Sequence, residues 1–481
     1  MKKLLSLLLL VSLVLTGCAG GSGGDYPADG NPGTNQGNLN QENGGNGENQ
    51  NDQNDSKDET DRTYEMPEMK GEITISLLDS MPLLEAGAQM FMDKYPDVTI
   101  NIHTFRSLEA IQMEGGMEMA AAPSAEQSSE NYLSQLNTRL MSGNAEDIIL
   151  ISRMPLQKYI SMGVFEELSF YMENSPEINK ENYFMNLFEA AGYGSDRMYS
   201  LPLATGIQTI TFANDLVTDS NLYLPQDMKN ISYEEALKYA LQLVENTNRN
   251  NTFLGMADGQ EVVMEYVKLN WDHYVNEETK EVNFDSDEYV QLLKMAADLE
   301  AKGYYDTSGL DFYNMEYYFA MHNDFDVQAA YYSLLPGSSD YHTMPFSDGK
   351  GNVPMNAYMQ FGINSASANK ELAWEFLKFM ISDEVQQLPS LYNLSVNRKG
   401  FDAYLDRQIT FYNEGNAAKI DQDAYKDLLK GWMEQINVDY TERQMIVNML
   451  YLENLDFFDG KISAEDAAAR VQEKVNKYFN E

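Results

Sequence analysis

The 481-residue sequence is poor in the residue types that carry most thiol, metal and nucleic-acid chemistry. It has a single cysteine, Cys18, which excludes an internal disulfide and leaves no further thiol for catalysis or metal binding. Its four histidines are scattered, whereas the ligands of a transition-metal site are clustered. We therefore expect no metal and no cofactor, and a stability that depends on packed hydrophobic cores.

Basic residues are also scarce. Lys and Arg number 33 against 75 Asp and Glu, which gives a formal net charge of −42. Such a surface repels nucleic acid and anionic lipid headgroups, so we exclude both as direct partners. The acidity is typical of a solubilising charge on an extracellular protein, and a specific cationic partner is the alternative interpretation.

Catalytic motifs are absent from the sequence. It contains no Gly-x-Ser-x-Gly elbow, no His-Glu-x-x-His pair, no phosphate-binding Gly-rich loop and no EF-hand pattern. The many carboxylates leave an extracellular hydrolase as a competing class, but their number says nothing about the geometry of an acid and base pair. We predict that the protein is not an enzyme, and we assign no catalytic residue.

The N-terminus has the layout of a secretory signal. Lys2 and Lys3 precede an apolar run that ends in Leu15-Thr-Gly-Cys18. This run is too short for a membrane span, which needs about 20 apolar residues in a helix, and no later run is long enough. The Leu-Thr-Gly-Cys ending resembles the bacterial lipobox. The resemblance implies removal of residues 1–17 and a lipid on Cys18, which anchors the protein on the extracytoplasmic face of the cell membrane.

The composition changes twice after the signal. Residues 18–70 are dominated by Gly, Asn, Asp, Gln, Ser and Glu. Such a segment buries too little apolar surface to offset the entropy cost of ordering, so we predict a disordered acidic tether. From Gly71 to Glu481 the composition is globular, and this length exceeds what one hydrophobic core organises. We therefore predict at least two lobes.

The globular part begins with alternating strand and helix patterns. Residues 73–78, 98–102 and 147–151 are typical of buried strands, and residues 82–95 have the apolar spacing of a helix. This alternation predicts an α/β sheet with parallel strands. Ligands of such sheets bind beyond the carboxyl ends of the strands, so Asp79, directly after the first strand, is a candidate ligand contact. A helix cap is the alternative role.

Six motifs follow one another in a fixed order along the globular part. The longest contains Phe361-Gly-Ile-Asn364 and Lys370-Glu-Leu-Ala-Trp374, and its apolar spacing predicts a core helix in which Trp374 is packed. The others lie at residues 91–98, 142–149, 163–168, 199–216 and 282–289. Together they resemble the family 1 extracellular solute-binding proteins, which are the lipoprotein receptors of ABC importers. Glu146 stands where that family usually has proline.

The resemblance implies an α/β, two-lobed periplasmic-binding-protein-like (type II) fold with a ligand cleft between the lobes. We predict that residues 71–206 and 325–358 form the first lobe and that residues 207–324 and 359–481 form the second. Closure of the lobes around a small-molecule solute is the expected motion, and ABC permease subunits are the expected partners of the closed, monomeric receptor. A receptor that reports to a membrane sensor is the alternative.

The predicted solute is a saccharide. Sugars stack their apolar C–H faces on aromatic rings, and the chain has 31 Tyr and 3 Trp. Candidate platforms are Trp271, Tyr331, Tyr332 and Tyr358, although tyrosines also bridge cores and solvent. The resemblance favours Tyr332, because related receptors carry a stacking tryptophan near this place. Peptides, amino acids and polyamines are alternative solutes.

The resemblance also indicates where the chain crosses between the lobes. In relatives the first crossing follows a Leu-Pro motif, which corresponds to Leu201-Pro202 here. Thr205 and Gln208 are therefore expected near the hinge and the cleft.

One stretch departs from the family pattern. Residues 113–123, within a segment at 105–131, are rich in methionine and look like an insertion. A methionine-rich surface adapts to varied partners. An unstructured loop is the alternative interpretation.

Overall fold

Two larger β-sheets, each covered by helices, and a separate antiparallel pair of short strands build the described part of the chain. The computed structural model describes residues 64–106, 125–151, 154–192, 197–213, 228–246, 258–277, 279–304, 319–322, 326–334, 341–415 and 419–480. The predicted signal, Cys18, most of the tether and the methionine-rich residues 113–123 lie outside these ranges.

The strands are β1 Gly71–Asp79, β2 Val98–Arg106, β3 Ile148–Leu150, β4 Leu201–Gly206, β5 Thr209–Ala213, β6 Ile231–Ser232, β7 Val275–Asn276, β8 Glu281–Val282, β9 Phe319–His322, β10 Tyr341–Ser347, β11 Val353–Ile363, β12 Leu394–Ser395 and β13 Ile436–Asp439.

The helices are α1 Pro82–Lys94, α2 Ala125–Met141, α3 Leu156–Ser161, α4 Ser169–Glu173, α5 Met185–Ala190, α6 Tyr233–Asn246, α7 Gly259–Leu269, α8 Asp287–Ala301, α9 Asp326–Ser333, α10 Lys370–Met380, α11 Asp383–Gln386, α12 Arg398–Gly415, α13 Gln422–Met433, α14 Gln444–Phe458 and α15 Ala464–Asn480.

The larger sheet has the strand order β12-β4-β11-β3-β1-β2, and β13 pairs with β11. β1 runs parallel to β2 and to β3, which confirms the parallel α/β pattern predicted from the sequence. Ile73, Ile75 and Leu77 are completely buried, as expected for a central strand with both faces covered. We call this sheet and the helices packed on it the first lobe.

Helices α1 and α10 pack together over the first lobe. Proline at the first helical position begins α1, because its missing N–H has no intrahelical partner there. The rings of Phe91 in α1 and Phe376 in α10 lie 5.5 Å apart, edge to face. Trp374 is completely buried, and its Nε1 donates to Oγ of Ser175 at 3.0 Å. The predicted core role of this helix is therefore confirmed.

The smaller sheet has the order β6-β10-β5-β9. β10 pairs antiparallel with β5 and parallel with β6. Its core contains the buried side chains of Ile210, Phe212 and Phe346, covered by α6, α7, α8 and α15. We call this sheet and its helices the second lobe.

The predicted division of the chain between the lobes is wrong in two places. Residues 359–436 do not join the second lobe, because β11 pairs with β3 and β4, and α10 to α13 pack in the first core. Strand β10, predicted in the first lobe, pairs with β5 and β6 of the second sheet. A short apolar strand pattern does not specify its partner strand, so the sequence left both assignments open to error.

The folded body also begins earlier than predicted. The ring of Tyr64 packs edge-on against Tyr171 at 5.7 Å, and its hydroxyl donates to Oε1 of Glu375. The predicted end of the tether at residue 70 is therefore several residues too late.

Candidate functional site at the lobe junction

The carboxyl ends of β1, β2 and β3 lie along one edge of the first sheet, because these three strands are parallel. Asp79 is the last residue of β1, is half-buried and lies in register with Arg106 of β2. The structure thus places Asp79 at the sheet edge where ligands of parallel sheets bind.

Three segments connect the lobes within the described part of the chain. They run from β4 to β5, from β10 to β11, and from β13 to α14. We call the carboxyl edge of the first sheet, these crossings and the first turns of α14 the lobe junction.

Thr205 and Gln208 lie at the first crossing, where the resemblance placed them. The buried hydroxyl of Thr205 donates to the carbonyl of Gly206 at 2.8 Å and accepts from the backbone N–H of Asn356 at 3.2 Å. The carbonyl of Gln208 accepts from the N–H of Phe346 at 3.0 Å. Both residues therefore tie two crossing segments together.

Helix α14 belongs to both lobes. Ile446 and Leu450 pack in the second core, whereas Met445 and Met449 pack with Ile151 and other residues near the end of β3. Successive residues of a helix are about 100° apart around its axis, so Met445 and Ile446 lie on neighbouring faces, and both faces of α14 are buried. The sequence Gln444-Met-Ile-Val-Asn-Met449 carries this signal, which the sequence reasoning did not use. Motion between the lobes therefore changes the packing of α14.

Aromatic side chains pack around Met445 and Met449 of α14 at the carboxyl edge of the first sheet. Phe105 at the end of β2 lies 6.0 Å from the ring of Tyr132, and Tyr159 lies 6.2 Å from Phe165. Tyr478 of α15 is half-buried against the same cluster. Sequence reasoning missed these rings, because their elements are distant in the chain and only the fold brings them together.

The predicted aromatic platforms have different surroundings. Tyr331 is completely buried in the first core, and its hydroxyl donates to Oδ1 of Asn413 at 2.9 Å. This burial makes Tyr331 a core residue rather than an open platform. The side chains of Tyr332 in α9 and Tyr358 in β11 lie outside the described atoms, so their predicted role stays a prediction.

Trp271 lies at the junction. It is 4% exposed, and its Nε1 donates to Oε1 of Glu277 at 2.7 Å. The guanidinium of Arg443 lies 5.1 Å from the centre of its ring and 3.4 Å from that of Tyr440. These contacts hold Trp271 between the second lobe and the third crossing.

A cavity of about 480 Å³ opens beside the crossings. Its walls include Trp271, Tyr440, Arg443 and the turn that carries Asp348 and Lys350. Tyr440 donates to Oδ2 of Asp348 at 2.8 Å. Burial works to raise the pKa of Asp348, but hydrogen bonds from its turn and from Tyr440 lower it overall. The walls thus combine aromatic rings with carboxylate and guanidinium groups.

The turn between β13 and α14, at the third crossing, carries the carboxyl group of Glu442. Burial raises the pKa of Glu442 to about 7, and the nearby charges of Glu277 and Asp439 add to the increase. The backbone N–H of Gln157 and the guanidinium of Arg443 oppose this rise. Glu442 is therefore a carboxyl group that titrates near neutral pH at the junction.

The described residues contain no group of three His, Cys, Asp or Glu side chains placed to hold a metal ion. In the same residue ranges, no helix combines the length and the apolar character that a membrane crossing requires.

Comparison with known proteins identifies the family. The family model for bacterial extracellular solute-binding proteins matches residues 78–387. The chain belongs to this family. The fold that the resemblance implied is confirmed. No curated protein matches its sequence.

Three solved structures show the shared fold. An ABC substrate-binding protein from Listeria monocytogenes in complex with cycloalternan has a TM-score of 0.52 at 16% identity, covering 85% of this chain and 99% of its own. The sugar-binding protein MalE from Xanthomonas citri has a TM-score of 0.53 at 13% identity, and the match covers 85% of this chain and 98% of the Xanthomonas chain. A family 1 extracellular solute-binding protein from Alicyclobacillus acidocaldarius has a TM-score of 0.50 at 12% identity, and the match covers 86% of this chain and 99% of the Alicyclobacillus chain. At these identities the similarity extends to the fold alone.

Proposed function

We propose that this solute-binding protein is a lipid-anchored receptor that captures a saccharide outside the cell and delivers it to the permease of an ABC importer. The observation that carries the proposal is the cavity at the lobe junction. There Trp271 and Tyr440 stand beside Asp348, Lys350 and Arg443. Aromatic rings cover the C–H faces of sugars, and charged side chains exchange hydrogen bonds with hydroxyl groups.

The relatives support the same solute class. The Listeria structure contains cycloalternan, and the Xanthomonas protein is described as sugar-binding. Asp79, at the carboxyl edge of the first sheet, is a proposed hydroxyl contact from the first lobe. Tyr332, Tyr358, Thr205 and Gln208 remain proposed contributors to the site or its hinge.

The lipid anchor is proposed from the sequence of the N-terminus. A thioether-linked lipid on Cys18 would hold the protein at the outer face of the membrane. Residues 19–63 would then act as a spacer between the lipid and the first lobe.

Thermal unfolding tests the solute class. The full chain carrying Cys18→Ala, which prevents lipidation, is heated alone and with each member of a panel of mono- and oligosaccharides, amino acids, peptides and polyamines. A ligand at about 100 times its dissociation constant adds about 2.7 kcal/mol to the native state, so the midpoint rises by a few degrees. We expect this rise with one or more saccharides, without turnover of the sugar.

Two other outcomes would change the proposal. An unfolding midpoint that rises only with a peptide, an amino acid or a polyamine would support a receptor function but change the proposed solute class. Hydrolysis of a saccharide by the purified protein would support the alternative that the protein is an extracellular hydrolase.

A further inference from the structure

A second cavity, of about 560 Å³, opens on the second lobe between α6 and α8. Both helices contribute residues that recur three, four or seven positions apart, which places them on one face of each helix. The apolar and acidic lining residues are Glu234, Leu237 and Leu241 of α6 and Glu288, Leu292 and Met295 of α8. Two helix faces thus border the same space, and its volume is that of a small-molecule site.

Two tyrosines complete the wall of this second cavity. Tyr266 belongs to α7, and Tyr274 follows that helix. The ring of Tyr266 lies edge-on to Tyr233 at 6.3 Å, and the ring of Tyr274 stacks on Phe284 at 5.5 Å. Tyr266 is half-buried, so part of its ring is open to the cavity. Because neighbouring rings hold both tyrosines in place, the aromatic part of the wall is preformed.

The hydroxyl group of Tyr274 is buried in this wall. Tyr274 is 1% exposed, and within the described part of the chain its hydroxyl has no hydrogen-bond partner. A buried hydroxyl without a partner destabilises the native state, and phenylalanine would fill the same space without this cost. A ligand that supplies a polar group in the cavity gives the hydroxyl a function.

Carboxylates border the cavity on both helices. Glu234 and Glu288 are exposed, and Oε1 of Glu288 lies 3.2 Å from Nδ1 of His273. Burial raises the pKa of Tyr266 to about 12 and raises the pKa of Tyr274 as well, and the charges of both carboxylates add to these increases. The region around the tyrosine hydroxyls is therefore electronegative.

The basic side chains of the wall do not balance this charge. Lys238 of α6 is the one lysine or arginine among the described lining residues, whereas Glu234 and Glu288 contribute two negative charges. Lys238 is exposed, so its ammonium group is well solvated. The cavity thus retains a negative potential that attracts a cation.

Apolar, aromatic and acidic groups in one cavity suit one ligand chemistry. Leucine and methionine side chains cover an apolar body. An ammonium group would pair with the carboxylates and lie against the electron-rich face of Tyr266. A carboxylate or phosphate ligand would be repelled by the same groups.

We propose that the cavity between α6 and α8 is a second ligand site, which binds an organic ammonium ion with an apolar body. The site adjoins the cavity at the lobe junction, and Glu234 is the one described residue that lines both. The proposed saccharide is not needed for this inference, because the remaining lining residues belong to one cavity or the other.

Three ligands that share one phenyl ring test the charge recognition. Phenethylammonium carries the positive charge, phenethyl alcohol is its neutral counterpart, and phenylacetate is a related anion. Ligand-observed NMR titration of full-length protein carrying Cys18→Ala measures each dissociation constant. We expect phenethylammonium to bind, the alcohol to bind at least about 10-fold more weakly, and the anion to show no binding.

A matched pair of variants locates the site. Glu288→Gln keeps the size of the side chain and removes one charge, so the dissociation constant of phenethylammonium should rise about 3- to 10-fold. Glu235→Gln removes the same charge next to Glu234, but the Glu235 carboxylate accepts from the hydroxyl of Tyr239 at 3.0 Å and does not line the cavity. This control should bind phenethylammonium like the parent protein.

Two further variants test the wall. Glu234→Gln combined with Glu288→Gln should bind phenethylammonium no more tightly than phenethyl alcohol. Tyr274→Phe removes the buried hydroxyl, so the unfolding midpoint of the ligand-free protein should stay the same or rise. Because an ammonium group can donate to the hydroxyl oxygen, the same variant should bind phenethylammonium more weakly.

The proposal is overturned if phenethyl alcohol binds as tightly as phenethylammonium. Equal affinities of Glu288→Gln and Glu235→Gln would also overturn it, because the acidic surface as a whole would then attract the cation. Sedimentation of the ligand-free protein tests another occupant. A dimer that Met295→Lys dissociates would assign the cavity to a second copy of the chain and overturn the small-molecule site.

These outcomes are separate from the test of the saccharide. Failure of every saccharide to raise the unfolding midpoint leaves the ammonium site standing, and absence of phenethylammonium binding leaves the junction cavity untouched. An amine that raises the midpoint of the parent protein but has a smaller effect on Glu288→Gln is assigned to the ammonium site.

Discussion

The side-chain amide of Gln208 donates to Oε2 of Glu265 at 3.1 Å, which ties the first crossing to helix α7 of the second lobe. Oε1 of the same carboxylate accepts from Nζ of Lys268 at 3.0 Å. All three side chains are largely buried. Since the carbonyl of Lys268 also accepts from Arg443, the first and third crossings meet the second lobe through neighbouring residues.

Removing one charge from this buried pair should destabilise the protein strongly. Glu265→Leu leaves the Lys268 ammonium buried without its counter-charge, and we expect the free energy of unfolding to fall by about 3–5 kcal/mol. Glu265→Leu combined with Lys268→Met removes both charges and should recover most of this loss. Urea unfolding at pH 7 measures both variants. Equal losses in the single and double variants would show that the charges are not coupled.

Two glycines offer a matched test of packing. A Cβ at Gly362 in β11 would lie 2.7 Å from side-chain carbons of Ile151 and of Phe165. We expect Gly362→Ala to lower the free energy of unfolding by about 1–3 kcal/mol. Gly431 in α13 has no atom within 4 Å of such a Cβ, so Gly431→Ala should stabilise by about 0.5–1 kcal/mol. Urea midpoints that move in the same direction would contradict the described packing.

Substitution of Tyr331 should affect stability, whereas substitution of its neighbour Tyr332 should affect solute binding. Tyr331 is completely buried and bonded to Asn413, so Tyr331→Ala should cost about 3 kcal/mol or more in unfolding free energy. Tyr332→Ala should weaken saccharide affinity and leave the unfolding midpoint of the solute-free protein unchanged. Calorimetric titration and thermal unfolding measure the two effects. Unchanged affinity in Tyr332→Ala would remove this residue from the proposed site.

The proposed lipid anchor depends on a single residue, Cys18. Cys18→Ala removes the only thiol in the chain, so we expect the protein to leave the membrane fraction and appear in the soluble extracytoplasmic fraction. Fractionation of expressing cells followed by immunoblotting measures the distribution. Ser161→Ala, a change in the first lobe, is the control and should stay with the membrane. Retention of Cys18→Ala with the membrane would show that another feature provides the anchor.

Local patterns predicted the elements well where they were strong. The first βαβ unit and the α10 core helix lie close to where their apolar spacing placed them, because strand and helix periodicity is a property of neighbouring residues. Asp79 was predicted because it directly follows the first strand pattern, whereas Thr205 and Gln208 were predicted from the family resemblance, and the role of all three stays a prediction. Tyr331 was misjudged as a platform because an aromatic residue has no local signal that distinguishes a core position from a cleft wall.

The amino-acid sequence by itself determined the acidic charge, the single thiol, the α/β class and the family, because these are properties of composition or of short ordered motifs. Only the tertiary structure decided that β11 to α13 return to the first lobe. It also decided that Arg443 meets the carbonyl of Lys268. These contacts join residues far apart in the chain, and the choice among alternative partners depends on how whole sheets and helices pack.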